Sequence, residues 1–436
     1  MRRLFCLGVL VSTGLLNACS GGGGGGAGGV GGAAGSGGGG AAGVGGGAAG
    51  GGGGAAGVGG GAAGGGGAAG GGAAGVGGGA AGAGGNGNGG AGGAGGSCLD
   101  PSTFSSAFAI ADSAFCAVAL YTAPESIAYQ APTWGSHGGP LVVQPGTGTG
   151  VTLERWTAPA ASTGAMTVQT TAIASALPAS TFLGAQAVDL PFFGWTAISW
   201  TNPFPDSTGQ LEMIANGAVA TGYAVNSPFG VAAVPAASSL GRLLFTSLSP
   251  LGMDTLKTPG LYAADACSSP SNALGTGTGC SASAAVAAWG DSLGPVVADS
   301  DGDVFAVMSS GASENQEARG FLASSVARGA AATAGTTLFT LPGFSGSLAA
   351  LSPAGGNPGL VVFQPFDSTT YAPLDVVQQR FTTSSGLAAM GTPSPLLTVP
   401  SGQSQGLQLL VDQAQRLWVA VSEASSTTYV VLARRS

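Results

Sequence analysis

An all-β fold is the class that residues 98–436 predict, on three observations. Val, Phe, Trp, Tyr and Thr gather there in short runs, and Gly, Pro, Ser, Thr and Asp separate the runs. Long stretches with helical 3.6-residue periodicity and end caps are scarce. The chain ahead of Cys98 is of two other kinds. Residues 1–19 are apolar behind a basic start, and residues 20–97 are nearly all Gly and Ala.

In residues 1–19, Arg2 and Arg3 supply positive charge, Leu4 to Leu16 form a short apolar stretch, and Leu16-Asn17-Ala18-Cys19 follows. That order resembles the signal peptide and lipobox of bacterial lipoproteins, so the segment is set aside from fold reasoning. The resemblance implies that Cys19 is lipidated and becomes the new N-terminus, meeting the membrane through its acyl chains. Several chains together give firm anchoring. Ser20 follows the cysteine where an Asp would imply retention at the inner membrane. The resemblance therefore implies a lipid-anchored protein of the cell envelope, at the outer membrane. Leu4 to Leu16 is itself too short to span a bilayer, which needs about 20 apolar residues.

Residues 20–97 repeat variants of Gly-Val-Gly-Gly-Gly-Ala-Ala-Gly, as at Gly43 to Gly50 and Gly57 to Gly64. Glycine loses the most backbone entropy on ordering, and alanine offers a core little to bury. The tract reads as a disordered tether. Its span is roughly 45–50 Å on random-coil scaling.

At the start of the 98–436 unit, Ala and Phe recur at helical spacing, and a short helix is expected near Thr103 to Leu120. Beyond it a turn, an apolar strand, a polar loop and a second strand recur. Pairs are Pro140–Val143 with Val151–Trp156, and Leu243–Thr246 with Gly260–Ala264. Later ones are Val304–Met308 with Gly320–Ser324, Gly359–Phe363 with Leu374–Val377, and Arg416–Val421 with Thr428–Leu432. Val296–Val307 and Leu409–Val421 each read as strand, Asp-led tight turn, strand, a hairpin signal. The repeat interval is about 55–60 residues, a spacing expected of one propeller blade per repeat, with about six blades in the unit. The pattern blurs between residues 157 and 240. The two hairpins resemble those of bacterial β-propeller repeats. A pair of β-sandwich domains is the alternative.

Composition narrows the function. Charged residues are only 7% of the chain and the formal net charge is −8. Lys257 is the sole lysine. Nucleic-acid binding needs clustered cations to displace counterions from phosphates, so that class is excluded. On the lipoprotein resemblance Cys6 falls in the signal segment and Cys19 would carry lipid, which leaves Cys98, Cys116, Cys267 and Cys280. An even number in an oxidising compartment reads as disulfides, with local Cys98–Cys116 and Cys267–Cys280 pairing preferred among three connectivities.

No catalytic residue is assigned. Gly290-Asp291-Ser292-Leu293-Gly294 resembles both a nucleophile elbow and the Gly-Asp-Ser-Leu string of one esterase family. The elbow needs a following helix and an activating histidine. Pro295 and an apolar strand follow instead, and no histidine lies after His137, so the string reads as an inter-strand loop. His137, the chain's one histidine, reads as a loop residue of a Gly-rich turn. Asp299, Asp301 and Asp303 alternate as at the start of a calcium loop, but Val304 and Ser310 stand where its glycine and glutamate belong. An Asp-Gly turn is the favoured reading, with Ca²⁺ the only metal the three would suit and no other cofactor implied. The six tryptophans (134, 156, 195, 200, 289 and 418) could stack on sugars, but packing between blades fits most of them better.

The resulting expectation is a lipid-anchored envelope protein presenting a propeller-like domain that binds or scaffolds a protein or glycan partner. An envelope hydrolase using carboxylates in a central pocket is the alternative.

Overall fold

The structure, a computed structural model, describes residues 98–100, 107–127, 131–145, 149–178, 183–190, 195–201, 208–226, 231–234, 242–247, 260–265, 284–288, 293–309, 316–327, 330–331, 333–341, 344–367, 369–370, 372–402, 406–423 and 425–435. Residues 1–97, with the expected lipidation site Cys19, and the expected disulfide partners Cys267 and Cys280 lie outside them.

Two strands precede the first repeat: β1 (Ala109–Ile110) and β2 (Phe115–Ala123). The first sheet holds β3 (Thr133–Trp134), β4 (Pro140–Pro145), β5 (Thr149–Thr157) and β7 (Thr167–Pro178), while the short β6 (Thr163–Ala165) leaves it. The second holds β8 (Leu183–Leu190), β9 (Trp195–Thr201), β10 (Thr208–Ala215) and β11 (Ala218–Asn226). The third holds β12 (Val231–Val234), β13 (Arg242–Ser247), β14 (Gly260–Asp265) and β15 (Ala284–Ala288). The fourth is β16 (Leu293–Ala298), β17 (Val304–Ser309), β18 (Gln316–Phe321) and β19 (Thr336–Leu341).

The fifth sheet runs β20 (Phe344–Leu351), β21 (Gly359–Phe366), β22 (Val376–Thr382) and β23 (Ala388–Thr398), with β1 on its outer edge. The sixth runs β24 (Gln408–Val411), β25 (Leu417–Ser422) and β26 (Thr427–Arg434), then β2 and β6. Each sheet's first strand packs near the first strands of its neighbours: β8 on β12, β12 on β16, β16 on β20, β20 on β24. Strands β3 and β4 meet β8, and β24 meets β3, so the six sheets close a ring. This is a β-propeller, and the two-sandwich alternative is set aside.

Closure of the ring is a strand exchange. Strand β2 pairs antiparallel with β26, from Phe115 opposite Arg434 to Ala123 opposite Thr427. An N-terminal strand therefore completes the C-terminal blade, and removing it would open a sheet edge. Cys98 bonds to Cys116 within β2, with their Cα atoms 5.6 Å apart, and the Leu99 amide donates to the Ala117 carbonyl. This is one of the two preferred disulfides.

Three sequence expectations shift. The helix near Thr103 to Leu120 is not formed in the described part, where Ala109–Ile110 and Phe115–Ala123 are strands. Strand β2 runs between β26 and β6 in its sheet, and its burial alternates from Ala117 to Ala123. The side chains of its less buried face, Val118 and Leu120 among them, are largely apolar too, so the sequence shows no polar alternation there. The strand expected at Gly320–Ser324 lies earlier, at Gln316–Phe321, and Ala323–Val326 is a 3₁₀ turn. The blurred stretch after residue 157 contains a complete second blade.

The core lies between the sheets rather than at the ring's centre. Leu141, Val143, Val151 and Leu153 of blade one pack on Ala187 and Ile198 of blade two. On the opposite face of blade one, Val142 and Trp156 join Trp418, Tyr429 and Val431 of blade six. Strand alternation assigns successive residues to different seams, and that is how β5 serves both neighbours.

Candidate functional site

Among the polar residues that interrupt these seams, two groups carry acids with raised pKa values. The first lies between blades six and one. Alternation along β5 turns Glu154 to the same seam as Trp156, and burial leaves it 2% exposed. The Trp156 indole Nε1 donates to Glu154 Oε2 at 2.9 Å, and the side chains of Glu125 and Gln144 also hydrogen-bond to it. Burial first, and then the hydrogen bond and charge of Glu125, raise the Glu154 carboxyl from 4.5 to about 7. The two glutamates are thus joined side chain to side chain.

The seam around this pair is aromatic. Tyr429 sits edge-on to Trp156 with ring centroids 5.8 Å apart, and Trp418 stacks on Tyr121 at 5.3 Å. The Tyr429 hydroxyl is buried with no hydrogen-bond partner among the described residues, and burial pushes its pKa well up. Thr427 ties in the loop that carries Glu125. Its Oγ1 accepts from the Ile127 amide at 3.1 Å and donates to the Glu125 carbonyl at 2.9 Å.

The second group is a turn that recurs between the first and second strands of blades. In 299–303 the Asp299 amide donates to the Asp303 carbonyl, and the Gly302 amide donates back to Asp299. In 412–416 the same two bonds join Asp412 with Arg416 and Gln415 with Asp412, and in 135–139 they join Gly135 with Gly139 and Gly138 with Gly135. The fourth position has positive φ in all three: Gly138 at 86°, Gly302 at 85° and Gln415 at 59°. Glycine suits that position because it has no Cβ to clash.

This turn places the three aspartates singled out by sequence. Asp299 Oδ1 accepts from the amides of Asp301 and Asp303, both at 3.0 Å. Asp303 Oδ1 accepts from the Ala323 amide at 2.7 Å, and Asp301 is exposed. Burial, followed by the charge of Asp303, raises Asp299 from 3.8 to about 7. Among the described residues no group of three His, Cys, Asp or Glu side chains is placed to hold a metal. The carboxylates at 299 and 303 act as backbone acceptors, which is the Asp-Gly turn reading.

The turns also lock neighbouring blades. Ser136 donates through both its amide and its hydroxyl to Asp189 Oδ2 on blade two, at 3.0 and 2.9 Å. Arg155 and Thr196 donate to the other Asp189 oxygen. Ser352 on blade five bridges two turns: its Oγ meets Ser300 Oγ at 2.7 Å, and its amide donates to Gln415 Oε1 at 2.7 Å. Asp412 accepts from the Arg416 amide and guanidinium and from Trp418 Nε1. Sequence reading singled out neither Asp189 nor Ser352, because the turns they lock lie about 50 or more residues away and only the ring brings them together.

His137 is half-buried, and its ring folds back on its own turn. A Cβ added at Gly135 would lie 2.4 Å from the imidazole, so glycine there is what admits the ring. Nε2 meets the Trp156 carbonyl at 3.2 Å, and burial lowers the pKa below its usual value. Nδ1 is buried without a partner among the described residues. Trp134, Trp156, Trp195 and Trp418 pack within the protein. Trp289 and residues 290–292 of the Gly-Asp-Ser-Leu string lie outside the described residues, as does the side chain of Trp200; Leu293 begins β16.

No family model matches the chain, and no curated protein matches it. Among solved structures, a glucose dehydrogenase aligns over 73% of this chain and 98% of its own, at 10% identity and TM-score 0.45. A gluconolactonase from Xanthomonas campestris aligns over 77% and 96%, at 15% identity and TM-score 0.41. The Dos1 propeller aligns over 69% and 66%, at 9% identity and TM-score 0.35. None of these likenesses assigns a role to a residue of this chain.

Proposed function

We propose that this is a lipid-anchored protein of the cell envelope, held at the outer membrane through Cys19, that presents its propeller to bind or scaffold a protein or glycan partner. The observation that carries the reading is how five of the six acids buried among the described residues are used. Glu154, Asp189, Asp299, Asp303 and Asp412 all accept hydrogen bonds from the protein's own indole, hydroxyl, guanidinium or amide groups. Carboxylates so engaged hold seams and turns together, and they leave recognition to a surface that carries few charges. The disulfide at Cys98 fits the same reading, because it fastens the end of the tether to the strand that closes the ring.

A hydrolase reading rests on one observation, the Glu125–Glu154 pair with a carboxyl near 7, since such a group could donate a proton at neutral pH. Incubation of the full chain with purified envelope sacculi separates the two. Cosedimentation without release of soluble fragments supports binding. Fragment release that disappears in Glu154→Gln supports hydrolysis and overturns the scaffold reading.

A further inference from the structure

The seam between blades five and six changes character along its length. Val376 of β22 and Val430 and Leu432 of β26 lie in one apolar cluster there. Continuing each strand by the same alternation turns Gln378 and Arg380 from one side, and Arg434 from the other, toward a common end of the seam. Asp112, in the link between β1 and β2, enters between them: Gln378 Nε2 donates to its Oδ2. The other oxygen of Asp112 accepts from the Ala114 amide at 2.8 Å.

That arrangement leaves complementary hydrogen-bonding groups unmet. Arg434 Nη2 is buried and has no acceptor among the described residues, and Gln378, 2% exposed, has an Oε1 with no donor among them. Arg380, on the same seam, is exposed. Burial, then the like charge of Arg380, lowers the Arg434 pKa. Two guanidiniums facing one carboxylate leave net positive charge, and an unpaired buried donor is costly.

We propose that the Gln378–Arg380–Arg434 end of this seam is a binding site for a phosphate group that carries a hydroxyl. The anionic oxygens take the two guanidiniums, which suit tetrahedral oxyanions through paired N–H donors. The phosphate hydroxyl donates to Gln378 Oε1. Sulfate is fully ionised at neutral pH and lacks that donor, so it should bind more weakly. Inorganic phosphate and the phosphomonoester headgroup of a lipid share this chemistry.

The test is thermal unfolding of the full chain at pH 7 against inorganic phosphate, with ionic strength held constant by chloride. A ligand of the folded state raises the midpoint saturably. The expected result is such a rise, smaller with sulfate, and weakened roughly tenfold in apparent affinity by Arg380→Gln, the loss of one charge-assisted bond. Because Arg380 is exposed, that variant keeps the fold, and Arg434→Gln serves as the second variant. Cosedimentation with phosphatidic acid vesicles, compared with phosphatidylcholine vesicles, distinguishes a lipid source from free phosphate. Equal shifts with phosphate, sulfate and chloride, together with no preference for phosphatidic acid vesicles, overturn the proposal. So does a phosphate response unchanged in both variants.

Discussion

Replacing Glu154 with glutamine should make the protein more stable at alkaline pH while leaving it nearly unchanged in acid. The glutamate carboxyl rises from 4.5 to about 7 on folding, so between those values the folded state holds more proton than the unfolded chain. Stability therefore falls as pH rises through that window, and the whole penalty is present above it. At about 1.4 kcal/mol per pH unit, the rise corresponds to about 3 kcal/mol. The amide of Glu154→Gln would keep an oxygen for Trp156 Nε1 and offer its N–H to the Glu125 carboxylate, so the seam's hydrogen bonds survive. Denaturant midpoints of wild type and variant would be compared at about pH 4.5 and about pH 8, on either side of the window. The expected result is a variant roughly 2–3 kcal/mol more stable at the alkaline value and within about 0.5 kcal/mol at the acid one. A residual slope from Asp299, which also rises to about 7, should remain in both proteins. A variant destabilised by the same amount at both pH values would refute the reasoning.

Asp412→Ala should cost about 3 kcal/mol in unfolding free energy, because it strands the Arg416 amide, its guanidinium and the Trp418 indole N–H together; a loss below about 1 kcal/mol would remove it from the blade's support. Gly139→Ala should be far worse than Gly138→Ala, since the new Cβ would lie 2.0 Å from the Trp156 carbonyl oxygen. At Gly138 only the positive φ opposes alanine, worth about 1 kcal/mol, so similar midpoints for the two variants would contradict the turn geometry. Calcium titration should leave the thermal midpoint of wild type and Asp301→Ala alike, because Asp299 and Asp303 already accept backbone amides. A saturable rise lost in Asp301→Ala would restore the metal reading.

Legibility in the sequence differs by element. The second and third strands of most blades can be read because each is a short apolar run bounded by turn residues, as in Gly359–Phe366 and Leu417–Ser422. The turns at Asp299 and Asp412 are readable for the same reason, since a turn is local. Strand β2 mimics a helix because its less buried face carries Val118 and Leu120 rather than polar residues, which leaves only its Phe and Ala spacing to read. Blade two blurs because its seam residues Gln186, Asp189, Thr196, Ser199 and Glu212 are polar yet buried, breaking the apolar runs that mark strands. The Glu125–Glu154 pair carries no sequence signal: the two residues approach only because β5 and the loop after β2 meet where the ring closes.

Everything proposed for this protein's role depends on an anchored propeller, and lipid labelling decides the anchor. Cells making the full chain would be fed radiolabelled palmitate, alongside cells making Cys19→Ala. The expected result is label on the wild type, none on the variant, and release of the variant from the membrane fraction. An unlabelled wild-type chain, or a variant that still labels and sediments with membranes, would contradict it.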